Sequence, residues 1–318
     1  MDEFDFINNI KKTHSLNLIG DDCAVLPKDA ETDLLVTADM LVEEIDFRLD
    51  WTTPRLLGHK ALAVSLSDIA AMGGVPGWGL LSMGVPENLW NSTFLDEFYE
   101  GWHELARLYD VELAGGDVSR TPSKLVIDSV VGGTVPKGNA VLRSGASAGD
   151  GIYVSGPLGG AAAGLKLLQK GELYSPTRTD PRSGVLVKQL RPLPRLGLGI
   201  QLQESNLATS MIDLSDGLSS DLAHLCRASR TGARIFAEEM PFDADVFEVA
   251  GSIDAMLDLA LNGGEDFELL FTADPEEISD ARIEDIFKIG EITENPGIIE
   301  LVRNGATEVL HPRGYRHF

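Results

Sequence analysis

Carboxylates beside small residues recur along this chain. The stretch SMIDLSDGLSSDLAHL sets Asp213, Asp216 and Asp221, with Ser215, between an apolar run and an amphipathic helical pattern. Five more motifs share that make-up: IGDDCAVL (Asp21, Asp22), VTADM (Thr37, Asp39), SLSDIAAMGG (Asp68), AGGDVSR (Asp117) and NGGEDFEL (Glu265, Asp266). Each sits at an expected element end, where capping and turn formation can account for it: short polar side chains accept hydrogen bonds from free N–H groups, and negative charge suits the start of a helix. Six in one fold ask for more, because like charges brought together repel unless cations neutralise them. All-oxygen ligands suit hard ions such as Mg2+, which keeps much of its water and is commonly held by a few carboxylates plus substrate phosphates. The pattern points to nucleotide chemistry. IDLSDG reads as a helix cap at Ser215 or Asp216 within such an acidic corner, with Asp221, five residues further round the helix, an ordinary solvated charge.

The familiar phosphate-binding signatures are missing. There is no G-x-x-x-x-G-K-[ST] loop, no G-x-G-x-x-G opening a helix after a first strand, and no kinase H-R-D or D-F-G set. GPLGGAAAG lacks the lysine and hydroxyl of a P-loop; its small residues suit close helix packing, although N–H groups at that helix start could touch a phosphate. No H-E-x-x-H, G-x-S-x-G or Cys-His arrangement occurs. No histidine lies at ligand spacing from another except in the tail, HPRGYRH, where surface exposure is expected.

A length of 318 residues exceeds what one hydrophobic core usually fills, so two domains are expected. The formal charge of −24 argues against a nucleic-acid or anionic-membrane surface, since both need concentrated Lys and Arg. Much of that acidity reads as general surface solvation. Cys23 and Cys226 lack metal spacing and read as small buried apolar residues. The start, MDEFDFINNIKKTHSL, is not a secretory signal, and no window is long and apolar enough to span a bilayer. A soluble, cytoplasmic protein is expected.

The elements that must carry these motifs alternate. DLLVTADMLV, WGLLSMGVP and KLVIDSVVGGTVP read as strands, with helices over TPRLLGHKALAVSLSDIAAMG, begun near Pro54 and stopped by Gly73 and Gly74, and over TFLDEFYEGWHELARLYD. Small residues and an AGDG turn suggest a domain junction near Ser147. A second alternation follows: strand GIYVSG, helix GGAAAGLKLLQKG, one or two helices broken by Pro192 and Pro194, strand LATSMIDL, helix DGLSSDLAHLCRASR, strand ARIFAEEM, helix AMLDLAL and strand DFELLFTA. GIIELVRNGATEVL predicts a hairpin with an Asn-Gly turn.

Taken in order and spacing, IGDDCAVL, VTADMLVEEIDF, HKALAVSLSDIAAMGG, LAGGDVSR, LRSGASAGDGIYVSG, RPLPR, IDLSDGLSSDLAHL, LNGGEDFELLF and the closing RGYRHF resemble the thiamine-monophosphate kinase family. That family lies within the superfamily of aminoimidazole ribonucleotide synthetase, selenophosphate synthetase and the hydrogenase-maturation dehydratase. The resemblance runs from about residue 2 to Phe318. It implies an α+β fold of two domains: an N-terminal mixed sheet domain, 1–147, that binds ATP and metal and dimerises, and a C-terminal domain of sheet plus helices, 148–318, that completes the cleft. It implies phosphorylation of thiamine monophosphate to thiamine diphosphate by in-line transfer from ATP, with several Mg2+ ions and K+ as a candidate further ion. The implied partners are ATP, thiamine monophosphate and a second copy of the chain, with no nucleic acid and no membrane. Motif match makes Asp22, Thr37, Asp39, Asp68, Asp117, Asp213 and Asp216 the metal ligands, with Asp68, Asp213 and Asp216 closest to the chemistry. Gly116, Asp117, Arg143 and Ser215 match ATP contacts; Asp46, Glu265 and Tyr315 match the acceptor site.

Three positions depart from the pattern. Ala38 stands where many relatives carry a hydroxyl, Asp46 replaces a histidine, and Arg316 replaces an aspartate. Two other readings are set beside the kinase. The nearest is another superfamily enzyme: selenophosphate synthetases carry a reactive Cys or selenocysteine near a glycine-rich N-terminal segment and the dehydratase ends in a functional Cys, whereas here Cys23 follows GDD directly and the sequence closes in RGYRHF. A non-catalytic ion- or nucleotide-binding protein would bind ATP and Mg2+ without turnover.

Overall fold

The computed structural model describes residues 3–315. Its first part runs α1 (Glu3–His14), β1 (Ala24–Pro27), β2 (Thr32–Val42), α2 (Pro54–Ala71), β3 (Val75–Pro86), α3 (Glu87–Trp90), α4 (Phe94–Leu108), β4 (Glu112–Thr121) and β5 (Val126–Pro136). These five strands form one mixed sheet in the order β1-β2-β5-β3-β4. The remainder runs β6 (Gly151–Val154), α5 (Gly160–Gln169), α6 (Pro181–Leu190), α7 (Leu196–Glu204), β7 (Ser210–Asp213), α8 (Leu218–Ser229), β8 (Gly232–Phe236), a 3-10 turn (Ala237–Glu239), α9 (Val246–Ala250), α10 (Ile253–Asn262), β9 (Leu269–Ala273), α11 (Pro275–Ala281), β10 (Phe287–Thr293), β11 (Ile299–Arg303) and β12 (Ala306–Val309). Its seven strands are ordered β12-β11-β8-β10-β6-β9-β7, leaving β7 and Asp213 at one edge. The architecture is α+β.

Local chemistry explains several boundaries. Thr53 accepts from Leu56 N and Pro54 opens α2, while Asp180 accepts from Ser183 N ahead of Pro181 in α6. Pro192 and Pro194 fall between α6 and α7, so the interrupted pattern became two helices. The β11–β12 hairpin turns through Asn304 and Gly305, both at positive φ, as an Asn-Gly turn requires. Two expectations failed. VTADM and AGGDVSR lie inside β2 and β4, not at element ends; glycine and aspartate weaken the strand signal, and β4 is an edge strand exposed over most of its length.

α2 organises the first part. It is buried on nearly every face, packing against the sheet, α4, α7 and β7. Close approach to α4 depends on two glycines: a Cβ at Gly58 would lie 1.9 Å from Phe98 O, and one at Gly101 1.8 Å from Arg55 O. Gly58→Ala is therefore expected to destabilise the fold by roughly 2–3 kcal/mol through overpacking, read as a lowered urea midpoint at unchanged slope.

Alternation along the second sheet joins the two parts. Met211, Leu269, Phe271 and Tyr153 face the core that contains α2 and the first sheet, whereas Ile152, Val154, Ile212 and Leu270 face a second core with α8 and α10. Tyr153 and Phe271 stack at 5.3 Å between ring centroids at that junction. Both cysteines are buried and free. Among the described residues no helix is long and apolar enough to cross a membrane.

Candidate functional site

The β2 alternation places Thr37 and Asp39 on the face covered by α2, and Ala38 and Met40 on the opposite, open face. From α2, Ser65, Ser67 and Asp68 meet them. Thr37 Oγ1 donates to Asp68 Oδ2, Ser65 Oγ donates to Asp39 Oδ2 at 2.7 Å, and Ser67 Oγ donates to Asp213 Oδ2 at 2.6 Å. Asp213 arrives from the end of edge strand β7. Asp22, just before β1, completes a group in which oxygens of Asp22, Asp68 and Asp213 all lie within 4.8 Å of one another. Among the described residues the cation built into this corner is Arg143: its Nη2 donates to Asp22 Oδ1 at 2.6 Å, and its backbone N–H to Asp21 Oδ1 at 2.9 Å.

The electrostatics of this corner are unfavourable for protein atoms alone. Burial, reinforced by neighbouring carboxylates, pushes Asp213 up to about 8 and Asp39 up to about 6, and raises Asp68 well above the ordinary carboxylate range. Burial raises Asp22 as well, with Arg143 working against it. Asp22 Oδ2 is buried without a hydrogen-bond partner. Converging acidic oxygens with an orphaned acceptor fit a hard divalent cation.

A second convergence surrounds Tyr315. Burial raises its hydroxyl, and the charges of Asp46, Glu265 and Asp216 push it in the same direction. Tyr315 N donates to Asp216 O at 3.1 Å, and Glu265 N to Ser215 O at 2.8 Å. Asp46 is held in the loop after β2, its Oδ2 accepting from Val42 N at 2.8 Å. Glu265 and Tyr315 thus meet at the IDLSDG corner although they lie far apart in the chain.

Other candidates stand apart. Gly116 and Asp117 lie on β4, separated from β2 by β5 and β3, about 14 Å at the usual strand spacing. Register aligns Asp117 with Ser82, Asp128 and Met40, hence on the open face of the sheet. Ser215 has an exposed side chain. Arg316 and His317 lie outside the described residues; His311 is exposed.

Three readings of motifs need correction. Asp221 is 2% exposed, and its Oδ2 accepts from Asp216 N at 3.2 Å and Gly217 N at 3.0 Å. It is a buried brace for the corner and not a solvated charge. Neither Ser215 nor Asp216 caps α8; Gly217, at φ +113, occupies the cap position. At the start of α5, the N–H groups of Gly159 and Ala161 donate to Asp266, at 2.7 and 3.1 Å, so a protein carboxylate takes the place considered for phosphate. Burial pushes Asp266 up to about 7. The small residues there serve packing: a Cβ at Gly164 would lie 2.2 Å from Val185 O of α6.

Sequence reasoning missed Ser65, Ser67, Asp221, Lys60 and Gln189. The signal for the first two and for Lys60 was present, since polar residues inside a helix otherwise apolar on all faces need partners. A cavity of about 620 Å3 lies on the other side of α6, lined by Lys188, Arg191, Asp266 and Glu268 among others.

Fold and site define the class. Residues 20–135 match the AIR synthase related protein, N-terminal domain, and residues 147–302 match the AIR synthase related protein, C-terminal domain. Within that class, the thiamine-monophosphate kinase of Bacillus subtilis (strain 168) is 36% identical over 331 aligned positions, covering 100% of both chains. That of Escherichia coli (strain K12) is 40% identical, covering 94% of this chain and 91% of the relative. A solved structure described as AaThiL complexed with AMPPCP and TMP superposes with a TM-score of 0.89 at 32% identity, covering 100% of this chain and 97% of the other. The chain belongs to the thiamine-monophosphate kinase family.

Proposed function

We propose that this chain catalyses in-line transfer of the terminal phosphoryl group of ATP to thiamine monophosphate, forming ADP and thiamine diphosphate. The observation that carries the reading is the Asp22–Asp68–Asp213 corner with Arg143 beside it, set against a family whose members are named for this reaction and a neighbour named with AMPPCP and TMP. Asp22, Asp68 and Asp213, supported by Thr37 and Asp39, would hold Mg2+; Asp216 is assigned to the same set, whereas Asp117, carried by β4 to the open face of the sheet, lies outside this corner of the chain. Bound there, Mg2+ supplies charge neutralisation for phosphate oxygens.

The protein's share is placement. A phosphate acceptor is already an oxyanion, so no strong general base is required. Its approach to a triphosphate is opposed by roughly 4 kcal/mol per pair of unit charges at 4 Å and an effective dielectric of ~20. Arg143, pinned by Asp21 and Asp22, offers a fixed positive fork to phosphate oxygens. Gly116, Asp117 and Ser215 are assigned to the nucleotide, while Asp46, Glu265 and Tyr315 form the acceptor pocket. Carboxylates and an aromatic ring suit a cationic thiazolium. Asp46, standing in place of a histidine, makes the pocket more acidic, and Ala38 leaves only backbone to offer at its position.

The assigned division into 1–147 and 148–318 is supported by the gap between the two family matches, 135 to 147. Homodimerisation through the open face of the first sheet is supported by Met40 and Leu80, 61% and 36% exposed there. Light scattering at micromolar concentration is expected to give twice the chain mass. A cytoplasmic setting and a K+ requirement belong to the same reading.

The deciding experiment incubates purified protein with ATP and Mg2+ and, in parallel, thiamine monophosphate, free thiamine or aminoimidazole precursors, with products separated by chromatography. Thiamine diphosphate from the monophosphate alone is expected. No product from any acceptor, with ATP still bound, would leave a binding protein.

A further inference from the structure

Both carboxylate oxygens of Glu265 are held by residues to which no role has been given above. Lys60 of α2 is 4% exposed, and its Nζ lies 2.7 Å from Glu265 Oε1 while also donating to Gln189 O at 3.3 Å. Gln189 of α6, equally buried, donates from Nε2 to Glu265 Oε2. One clamp therefore joins the central helix of the first part, a helix of the second, and the 263–268 loop.

The arrangement is costly. Glu265 adopts φ +67, a left-handed conformation disfavoured for a side-chain-bearing residue. Gln189 Oε1 is buried without a partner, and flipping the amide would set its carbonyl against the Glu265 carboxylate. Lysine is seldom buried unless paired. Three local costs meet at one carboxylate, and what they achieve is a fixed direction for it, with its backbone N–H tied to Ser215 O beside Asp216.

We infer that Lys60 and Gln189 are positioning residues that aim Glu265 at the phosphorylated acceptor and so set acceptor affinity independently of the nucleotide. The inference rests on the assignment of Glu265 to the acceptor pocket. Its reach is confined to that pocket because the clamp bonds to Glu265, whereas Asp22, Asp68 and Asp213 are braced separately by Arg143, Thr37 and Ser67.

The test compares Lys60→Met, Gln189→Leu, Glu265→Gln and the double variant Lys60→Met with Glu265→Gln, each checked for melting temperature and assayed with both substrates varied. Lys60→Met and Gln189→Leu are each expected to raise KM for thiamine monophosphate between roughly 10- and 100-fold, since small misplacements of a positioned group have effects of that size. KM for ATP should stay within about twofold and kcat within about threefold, as expected when an interaction made with the bound acceptor is lost. The double variant should match Glu265→Gln alone, because a clamp has nothing to hold once its charge is gone. It also carries the test if Lys60→Met leaves Glu265 unpaired and fails to fold: additive effects in the double would overturn the clamp. An unchanged acceptor KM in Gln189→Leu, with a raised one in Glu265→Gln, overturns the clamp and leaves the acceptor assignment standing. An unchanged acceptor KM in Glu265→Gln overturns that assignment and the clamp with it.

Discussion

Asp213→Asn is expected to lower kcat by roughly a thousandfold or more at saturating Mg2+. Asp213 is one point where the two parts meet chemically: it comes from the edge of the second sheet, yet its Oδ2 accepts from Ser67 of α2, and it lies in the oxygen group with Asp22 and Asp68. Asparagine keeps the shape and can still accept the Ser67 hydrogen bond, so the fold should survive. What disappears is one ionisable group of the proposed metal site. The metal-free variant is expected to melt no lower than the parent, because it no longer buries a carboxyl that burial has pushed up to about 8. Turnover preserved within tenfold, with an unchanged Mg2+ dependence, would remove Asp213 from the metal corner. Loss of turnover together with a collapsed melting temperature would show only that the fold had failed, and for that reason both are measured.

Without divalent ions, the protein is expected to lose stability as pH rises from about 4 to 8, and Mg2+ is expected to restore it. The sign follows from the buried acids. In the unfolded chain Asp213 and Asp39 ionise near 3.8, while in the fold they hold their protons to about 8 and about 6. Across that interval the native state binds more protons than the unfolded state, so stability is present in full on the acid side and is lost as pH climbs through the folded values. On the proposed metal assignment, Mg2+ would take the place of the protons. Melting in EDTA should fall between pH 6 and 8, and millimolar Mg2+ at pH 8 should recover roughly 5 °C or more. Adding Mg2+ at pH 7 in weak buffer should release protons, as a ligand set that must ionise requires. A melting temperature insensitive to Mg2+ at pH 8 would argue that the acidic corner is neutralised in some other way.

Much of the framework was legible from periodicity and punctuation. Pro54, the glycines at 73 and 74, Pro192 with Pro194, and Asn304-Gly305 mark boundaries through local chemistry, which acts over a few residues and therefore shows in a few letters. β4 was not legible as a strand because its glycines and aspartate carry no strand preference; pairing with β3 is what holds it extended. Asp221 was misread for a related reason. Its spacing on α8 is that of any helical acid, and only the path of the chain through Asp216 and Gly217 folds two N–H groups back onto its carboxylate.

The amino-acid sequence alone showed which residue types are on offer, acidic corners in place of a lysine loop, and from them came the expectation of a metal-assisted route to phosphate. Tertiary structure decided which of those corners share a site. Asp22, Asp68 and Asp213 lie within 4.8 Å of one another because α2 packs between the first sheet and the edge of the second, whereas Asp117, in an equally promising motif, is carried to the open face by one step of strand alternation. The reason is physical: a motif fixes local conformation and chemical type, but proximity across 50 to 200 residues is set by how apolar faces bury one another, and no short stretch of letters contains that.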